Sequence, residues 1–288
     1  MLNRQKIILQ MAISAGRPVS RLELVKWAFL LRHEFQLGDE AAFYDFLPYQ
    51  YGPFSFTLYH ETAALVRDGL LSEPDDQHWA ATAGSADTLR GLPAEYAEKA
   101  RSTVSRVSGM TQNELVEHVY ARYPWYAMNS KLKQRPAEAK RPIASSRIYT
   151  AGYEGASIDA FINRLLMLGI RRLVDVRKNP IARRYGFHKS TLQRLCGHAG
   201  LEYKHMPELG IPSEWRRDLA SRQDYDRLFT RYETEIMPEN MGTIRPLAMT
   251  FGETPTALVC MEADADFCHR ARLARAVSAL NQLEIAHL

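Results

Sequence analysis

The sequence predicts two domains: a mainly helical one, then an α/β one built on a parallel sheet. Three observations lead there. Up to about residue 130, apolar residues recur at helical spacing. From 131 to 146 that periodicity gives way to Lys, Arg, Pro, Ala and Ser. From 147 onward, short apolar runs alternate with helical stretches. The expected boundaries are 1–130, a basic linker at 131–146, and 147–288. With 288 residues, 46% hydrophobic and 24% charged, the chain can fill two ordinary cores.

In the first half, Ile7, Ile8, Met11 and Ala12 share one face of a helix over 3–14. Gly16-Arg17-Pro18 breaks it. Ser20 caps a second helix, Arg21 to Glu34, with Glu23 three residues on completing a capping box. The aromatics of Tyr44 to Tyr51 alternate, which predicts an extended segment closed by Gly52-Pro53. A third helix follows from Ser55 to Asp68 and ends at Gly69. Leu70-Leu71 and His78-Trp79-Ala80 are the strands of a small hairpin. Residues 92–129 read as helical, with Thr111 as a cap.

Helices followed by such a hairpin resemble a winged helix-turn-helix. Tyr49-Gln50-Tyr51-Gly52-Pro53-Phe54-Ser55, with the helix ending Asp68-Gly69-Leu70-Leu71, also resembles the Panacea or SocA-like antitoxin domain over roughly 3–130. That resemblance implies a module that binds DNA or a protein partner.

The second half opens with a strand at 148–152 that turns at Gly152. Ser157 caps a helix carrying Ile158, Phe161, Leu165 and Leu166, and Gly169 ends it. Leu173-Val174-Asp175-Val176-Arg177-Lys178-Asn179-Pro180 then reads as a buried strand opening into a turn. This strand–helix–strand unit predicts parallel strands with neighbouring carboxyl ends, which would put Gly152, Tyr153 and Glu154 beside Asp175 and Arg177. Ligands sit at such ends. A structural ion pair is the other reading of Asp175 and Arg177. A helix at 191–198, a strand at 201–206, a loop Pro207-Glu208-Leu209-Gly210, a helix at 223–237, a strand at 256–261, a helix from 267 to 279 and a strand at 283–288 complete the half.

Tyr149-Thr150-Ala151-Gly152-Tyr153, Leu173-Val174-Asp175-Val176-Arg177 with Asn179-Pro180, Pro207-Glu208-Leu209-Gly210, and Cys260-Met261-Glu262 followed by Cys268-His269-Arg270 together resemble the domain of unknown function 488 family over about 147–288. The resemblance implies a parallel α/β fold with these motifs at one edge, and no particular reaction. Many members have Gly-His where this chain has Gly152-Tyr153, so no imidazole role carries over there.

No apolar run approaches the ~18 residues of a membrane span, and the N-terminal pattern is not that of a signal peptide. Three cysteines, at 196, 260 and 268, fit a reducing cytoplasm better than a disulfide framework. The net charge is +4, and Arg171-Arg172, Arg177-Lys178, Arg183-Arg184 and Arg216-Arg217 cluster in the second half. That pattern points to nucleic acid, DNA first, or a nucleotide as partner. The basic, aromatic loop Ile181 to His188 suits phosphate contact with base stacking.

The expected function is a hydrolase acting on a modified or damaged base or its glycosidic bond, in a setting such as phage defence or repair. Paired carboxylates serve such chemistry. Asp175 and Glu262 are the expected acid/base pair, with His269 as third catalytic residue. Gly152, Tyr153, Glu154, Glu208 and Cys268 are expected to line the substrate, and Arg177, Arg183, Arg184 and Arg270 to bind phosphate. No cofactor is expected. Metal-dependent phosphodiester cleavage would also use several carboxylates around one cation, but the arginines oppose a cation unless phosphate intervenes, so the metal-free reading ranks slightly higher and no metal is expected. A zinc site at Cys260, Cys268 and His269 would need a fourth ligand such as Cys196 or His198, and adjacent Cys-His geometry is poor for it. A rhodanese-like sulfurtransferase is a further alternative, weakened by the acidic loop after Cys260, which should raise its thiol pKa. A non-enzymatic regulator of antitoxin type is the other.

Overall fold

The computed structural model describes all residues except 36, 38–41, 133–135, 137, 138 and 218. The chain divides into two units, Met1–Lys140 and Arg141–Leu288. Part of the expected linker (133–135, 137 and 138) lies outside the described residues. Its far end belongs to the second unit, where Arg141 Nη1 donates to Gly200 O at 2.9 Å and Nη2 donates to Ile170 O.

The first unit runs α1 (Asn3–Ala15), β1 (Val19–Ser20), α2 (Arg21–Glu34), β2 (Leu47–Tyr49), β3 (Gly52–Phe54), α3 (Phe56–Arg67), β4 (Leu71–Asp75), β5 (His78–Ala81), α4 (Ala94–Val107) and α5 (Gln112–Arg122). Helix α2 starts where the capping box puts it, with Ser20 Oγ accepting from Glu23 N and Glu23 accepting from Ser20 N. Two details differ from expectation. Gly52 and Pro53 do not close the extended segment; they begin β3, which pairs with β2. Val19-Ser20, between the break and the helix that Ser20 caps, also forms a short strand beside the hairpin, in the order β1-β5-β4. Gly52 needs its left-handed φ of +100°, and a Cβ there would meet Tyr120 Cε1 at 2.7 Å and Lys26 Nζ at 3.1 Å.

The second unit is α/β. It runs β6 (Ile148–Gly152), α6 (Ile158–Met167), β7 (Arg172–Asp175), α7 (Lys189–His198), β8 (Glu202–His205), α8 (Arg222–Arg231), a π-helical turn (Tyr232–Ile236), α9 (Met237–Glu239), α10 (Met241–Glu253), β9 (Thr256–Cys260), α11 (His269–Asn281) and β10 (Ile285–His287). All pairings in its five-stranded sheet are parallel, in the order β10-β6-β9-β7-β8. β6 and β9 are buried along their whole length, as strands covered on both faces are. Val174, Leu258 and Ile148 pack with Ile244, Leu247 and Phe251 of α10 and Leu273, Ala274 and Val277 of α11. Burial of this order, about 25 cal/mol per Å² of apolar surface, dominates the stability of such a layer.

The strand order corrects one expectation. β6 and β7 are parallel but not neighbours, because β9 lies between them. The sequence-distant strand therefore occupies the centre, and its carboxyl end, Cys260, becomes the middle of the edge where ligands bind in open α/β sheets.

Candidate functional site

Two polar clusters occupy that edge. The first is a knot around Asp175. Its carboxylate is 0% exposed and accepts from Arg177 Nε at 2.8 Å, Arg177 Nη2 at 2.6 Å, the Arg177 backbone N–H at 3.1 Å and Tyr203 OH at 2.7 Å. Arg177 spends its remaining donor, Nη1, on Tyr153 OH at 2.8 Å and Phe187 O at 2.9 Å. The Tyr153 ring stacks on Phe187 at 4.1 Å. Burial opposes the Arg177 charge, but Asp175 holds its pKa above the ordinary value. Burial, and then the Asp175 charge, push the Tyr203 phenol up. The bond geometry is bidentate, the strongest arrangement available to such a pair.

This saturation revises three expected roles. Asp175 has four donors and no surface, so it presents no lone pair to a substrate and is poorly placed as an acid or base. Arg177, 6% exposed and committed to four acceptors, does not reach out to phosphate. Tyr153 does lie against Arg177 as expected, but it reaches there across β9 and its hydroxyl accepts from the guanidinium.

The second cluster gathers where β9 ends and α11 begins. Cys260 Sγ donates to Glu262 Oε2 at 3.1 Å and lies 3.8 Å from His269 Nδ1, while Cys268 Sγ lies 3.9 Å from the same nitrogen. His269 Nε2 is 3.0 Å from Val176 O. A carbonyl only accepts, so Nε2 carries the proton and Nδ1 turns its lone pair toward the two sulfurs. Arg216, from the turn Ser213–Arg216, donates to Glu262 Oε1 at 2.7 Å and to His269 Nδ1 at 3.1 Å. The side chains of Arg216 and Glu262 are 31% and 17% exposed, so they form the solvent side of an otherwise buried group.

The electrostatics follow. Hydrogen bonding from Cys268, with the neighbouring His269 and the charge of Arg216 behind it, holds the Cys260 thiol well below the usual range despite burial. The acidic-loop argument fails here, because Glu262 is the residue of that loop hydrogen-bonded to the thiol and its charge is paired with Arg216. Burial pushes Cys268 up, and burial beside Cys260 raises Glu262.

The backbone around this cluster is built closely. Gly152 lets the chain pass: a Cβ there would lie 1.9 Å from Glu262 O. Tyr153 N and Glu154 N both donate to Met261 O, and Glu154 Oε2 accepts from Ala263 N at 3.0 Å. Arg270, expected at a phosphate, is fully buried; it donates to Glu262 O at 2.6 Å, Ala263 O at 2.9 Å and Thr150 Oγ1 at 3.3 Å. Gly152, Glu154 and Arg270 thus shape the loop that carries Glu262. Glu208 is half-buried on the turn Pro207–Leu209, and the contacts that tie the cluster together do not include it. Arg183 and Arg184 are exposed on the loop after β7, with Lys178 exposed nearby in sequence. Among the described residues no ion pair is recorded for these three.

The structure adds Arg216, Cys260, Tyr203 and His205 to the expected residues; His205 Nε2 donates to Arg177 O at 2.9 Å. The spacing Cys260-x-Glu262 before Cys268-His269 was the visible signal for Cys260. Arg216 was marked only as half of the Arg216-Arg217 pair, with nothing local to tie it to Glu262. Cys196, weighed as a zinc ligand, is buried on α7 with its thiol pushed up to about 12 by burial and by Asp175, and belongs to neither cluster.

No helix among the described residues is long and apolar enough to cross a membrane. No curated protein matches the chain. Residues 157–277, from the cap of α6 through most of α11, match the family model described as Domain of unknown function DUF488.

Proposed function

We propose that the α/β unit is a hydrolase acting on a nucleic-acid base or its bond to sugar, with Glu262 as the proton-transferring group. One observation carries this. Glu262 lies just past the carboxyl end of the central strand, at the solvent side of the Cys260–Cys268–His269 group, and forms an ion pair with the part-exposed Arg216. A carboxylate held by an arginine can exchange a proton while the guanidinium steadies the charge that develops on substrate. Lys178, Arg183 and Arg184 supply an unpaired basic rim suited to a phosphate backbone. In this reading Asp175 belongs to the scaffold and His269 to the reacting group.

The first unit would hold DNA or a protein partner. Its order of helices, with β1 beside the β4–β5 hairpin, suits a winged-helix-like module. The antitoxin resemblance suits the same role. The regulator reading draws on a cleft of about 740 Å³ in this unit, lined by Arg21, Lys26, Tyr49, Tyr51, Tyr59 and His78 among others. The sulfurtransferase reading asks for a thiol open to a sulfur donor, and Cys260 and Cys268 are each 1% exposed.

The test is incubation with plain and base-modified DNA and RNA, with products read by mass spectrometry. A released or altered base is expected, falling by roughly a hundredfold or more in Glu262→Gln. Binding with no product on any of these substrates removes the hydrolase and leaves the regulator.

A further inference from the structure

We infer that Cys260, Cys268 and His269 form a binding site for a single zinc ion. The ligand atoms, two sulfurs and one imidazole nitrogen, all lie within 4.8 Å of one another. Tetrahedral zinc with ordinary Zn–S and Zn–N bonds needs S···N edges of roughly 3.6 Å. The edges here are 3.8 and 3.9 Å, so closure onto a cation takes only small side-chain movements.

Three further observations support the site. The imidazole is already in the required tautomer: Nε2–H is fixed on Val176 O, which leaves Nδ1 as the ligand atom, the hydrogen bond that typically orients a metal-bound histidine. The ligands come from rigid elements, the last residue of β9, the cap residue of α11 and its first helical residue. Adjacent Cys-His geometry is therefore not the obstacle expected from sequence, because the turn into α11 swings Cys268 Sγ back toward the ring of His269. All three residues are buried, which gives a soft site shielded from competing water.

Charge balances in the loaded state. Zinc binds the two sulfurs as thiolates, any proton still on them passing to solvent, and their two negative charges match the dication. Arg216 now donates to His269 Nδ1 at 3.1 Å and must leave that nitrogen. Its side chain is part-exposed and can do so while keeping Glu262, with which it forms a neutral pair. Three protein ligands leave one position for water or for Glu262, the composition of an open site. With water there, Glu262 stands beside it as base; that clause alone rests on the hydrolase reading.

The experiment is zinc content by mass spectrometry on full-length protein purified under reducing conditions, beside C260S, C268S, H269A and the control C196S. About one zinc per chain is expected in wild type and C196S, and below about a tenth of that in the other three. Circular dichroism identifies any variant that has unfolded. For such a variant, cobalt substitution of wild type gives the answer instead, through the presence of thiolate-to-cobalt absorption. Metal-free wild type after zinc exposure, or full zinc in both C268S and H269A, overturns the site. Loading is read without turnover. A zinc-loaded chain inert on nucleic acid sinks the hydrolase and keeps the site, and an active chain without zinc does the reverse.

Discussion

The two clusters at the sheet edge are built from similar polar groups and have opposite character. In the Asp175 knot every strong donor of Arg177 has an acceptor and the carboxylate has four donors, all within the protein. In the Cys260 cluster, sulfurs, one imidazole nitrogen and a carboxylate crowd together, with one part-exposed arginine to satisfy them. A buried polar group with its full set of partners holds a fold together. A group with spare valence is available for binding and chemistry. Asp175 and Glu262 look equivalent as sequence, each an acid at the end of an apolar strand, and the difference lies wholly in what surrounds them.

The sharpest way to break this comparison is to cut the knot. Asp175→Ala leaves the Arg177 guanidinium buried without its counter-ion, and the expected loss is about 3–5 kcal/mol of stability. The double variant Asp175→Leu/Arg177→Met removes both charges and should lose clearly less than the single one. Urea unfolding of the three proteins decides it. Equal losses in the single and double variants would mean the pair is not the structural unit described, and a folded, inactive Asp175→Ala would return Asp175 to the reaction.

A third buried charge sharpens the rule from the other side. Lys26 is 1% exposed; its Nζ donates to Tyr51 O, and no carboxylate pairs with it among the recorded contacts. Burial lowers its pKa to about 7. The folded pKa is depressed, so the unfolded chain binds more protons between pH 7 and the ordinary lysine value of 10.5. Stability should therefore rise with pH across that window and sit at its lowered level below it. Lys26→Met abolishes this slope and should stabilise the first unit near pH 6 by on the order of 3 kcal/mol, less the lost bond to Tyr51 O. Urea midpoints on either side of the window test it, and a variant that is less stable near pH 6 shows that Lys26 is paired after all. As Lys26 also lines the 740 Å³ cleft, the penalty is consistent with a position kept for binding.

How much of this could be read beforehand divides along the same line. Helix α2 begins at Arg21 because Ser20 and Glu23 are local signals, and the edge strand β8 alternates as its residues do. Helix α10 was not anticipated: it carries Pro246 inside and Gly242 and Gly252 near its ends, so local propensity argues against it and burial of Ile244, Leu247 and Phe251 overrides that. The placement of β9 between β6 and β7 is a long-range choice that spacing does not encode. The motifs fall together at the carboxyl edge of the sheet, as the resemblance implies, yet roles within it required burial and partners. Arg216 reaches Glu262 from 46 residues away, on a turn with no pattern of its own.

The exposed basic rim is where the knot's neighbourhood meets solvent. Arg183→Ala with Arg184→Ala should leave folding intact, weaken DNA binding by about tenfold or more and reduce the salt dependence of binding by about two ions. Fluorescence anisotropy across a salt series reads both. A variant with wild-type affinity and salt slope would remove this rim from the proposed nucleic-acid surface.

The smallest effect tests the knot's redundancy. Tyr203 OH gives Asp175 Oδ2 a hydrogen bond at 2.7 Å, but Arg177 Nη2 already holds that oxygen at 2.6 Å. Tyr203→Phe keeps the ring and removes one donor of four, so the expected cost is about 1–2 kcal/mol, the range for one hydrogen bond to a charged group. Thermal unfolding measures it. A loss as large as that of Asp175→Ala would show that the phenol, not the guanidinium, stabilises the carboxylate. No loss would show that Arg177 and its backbone N–H suffice. In the expected intermediate case, Tyr203 shares the load on Oδ2, and activity should stay near wild type. That last point separates the two clusters, because a one-donor change beside Asp175 leaves Glu262, Arg216 and His269 with the contacts they have now.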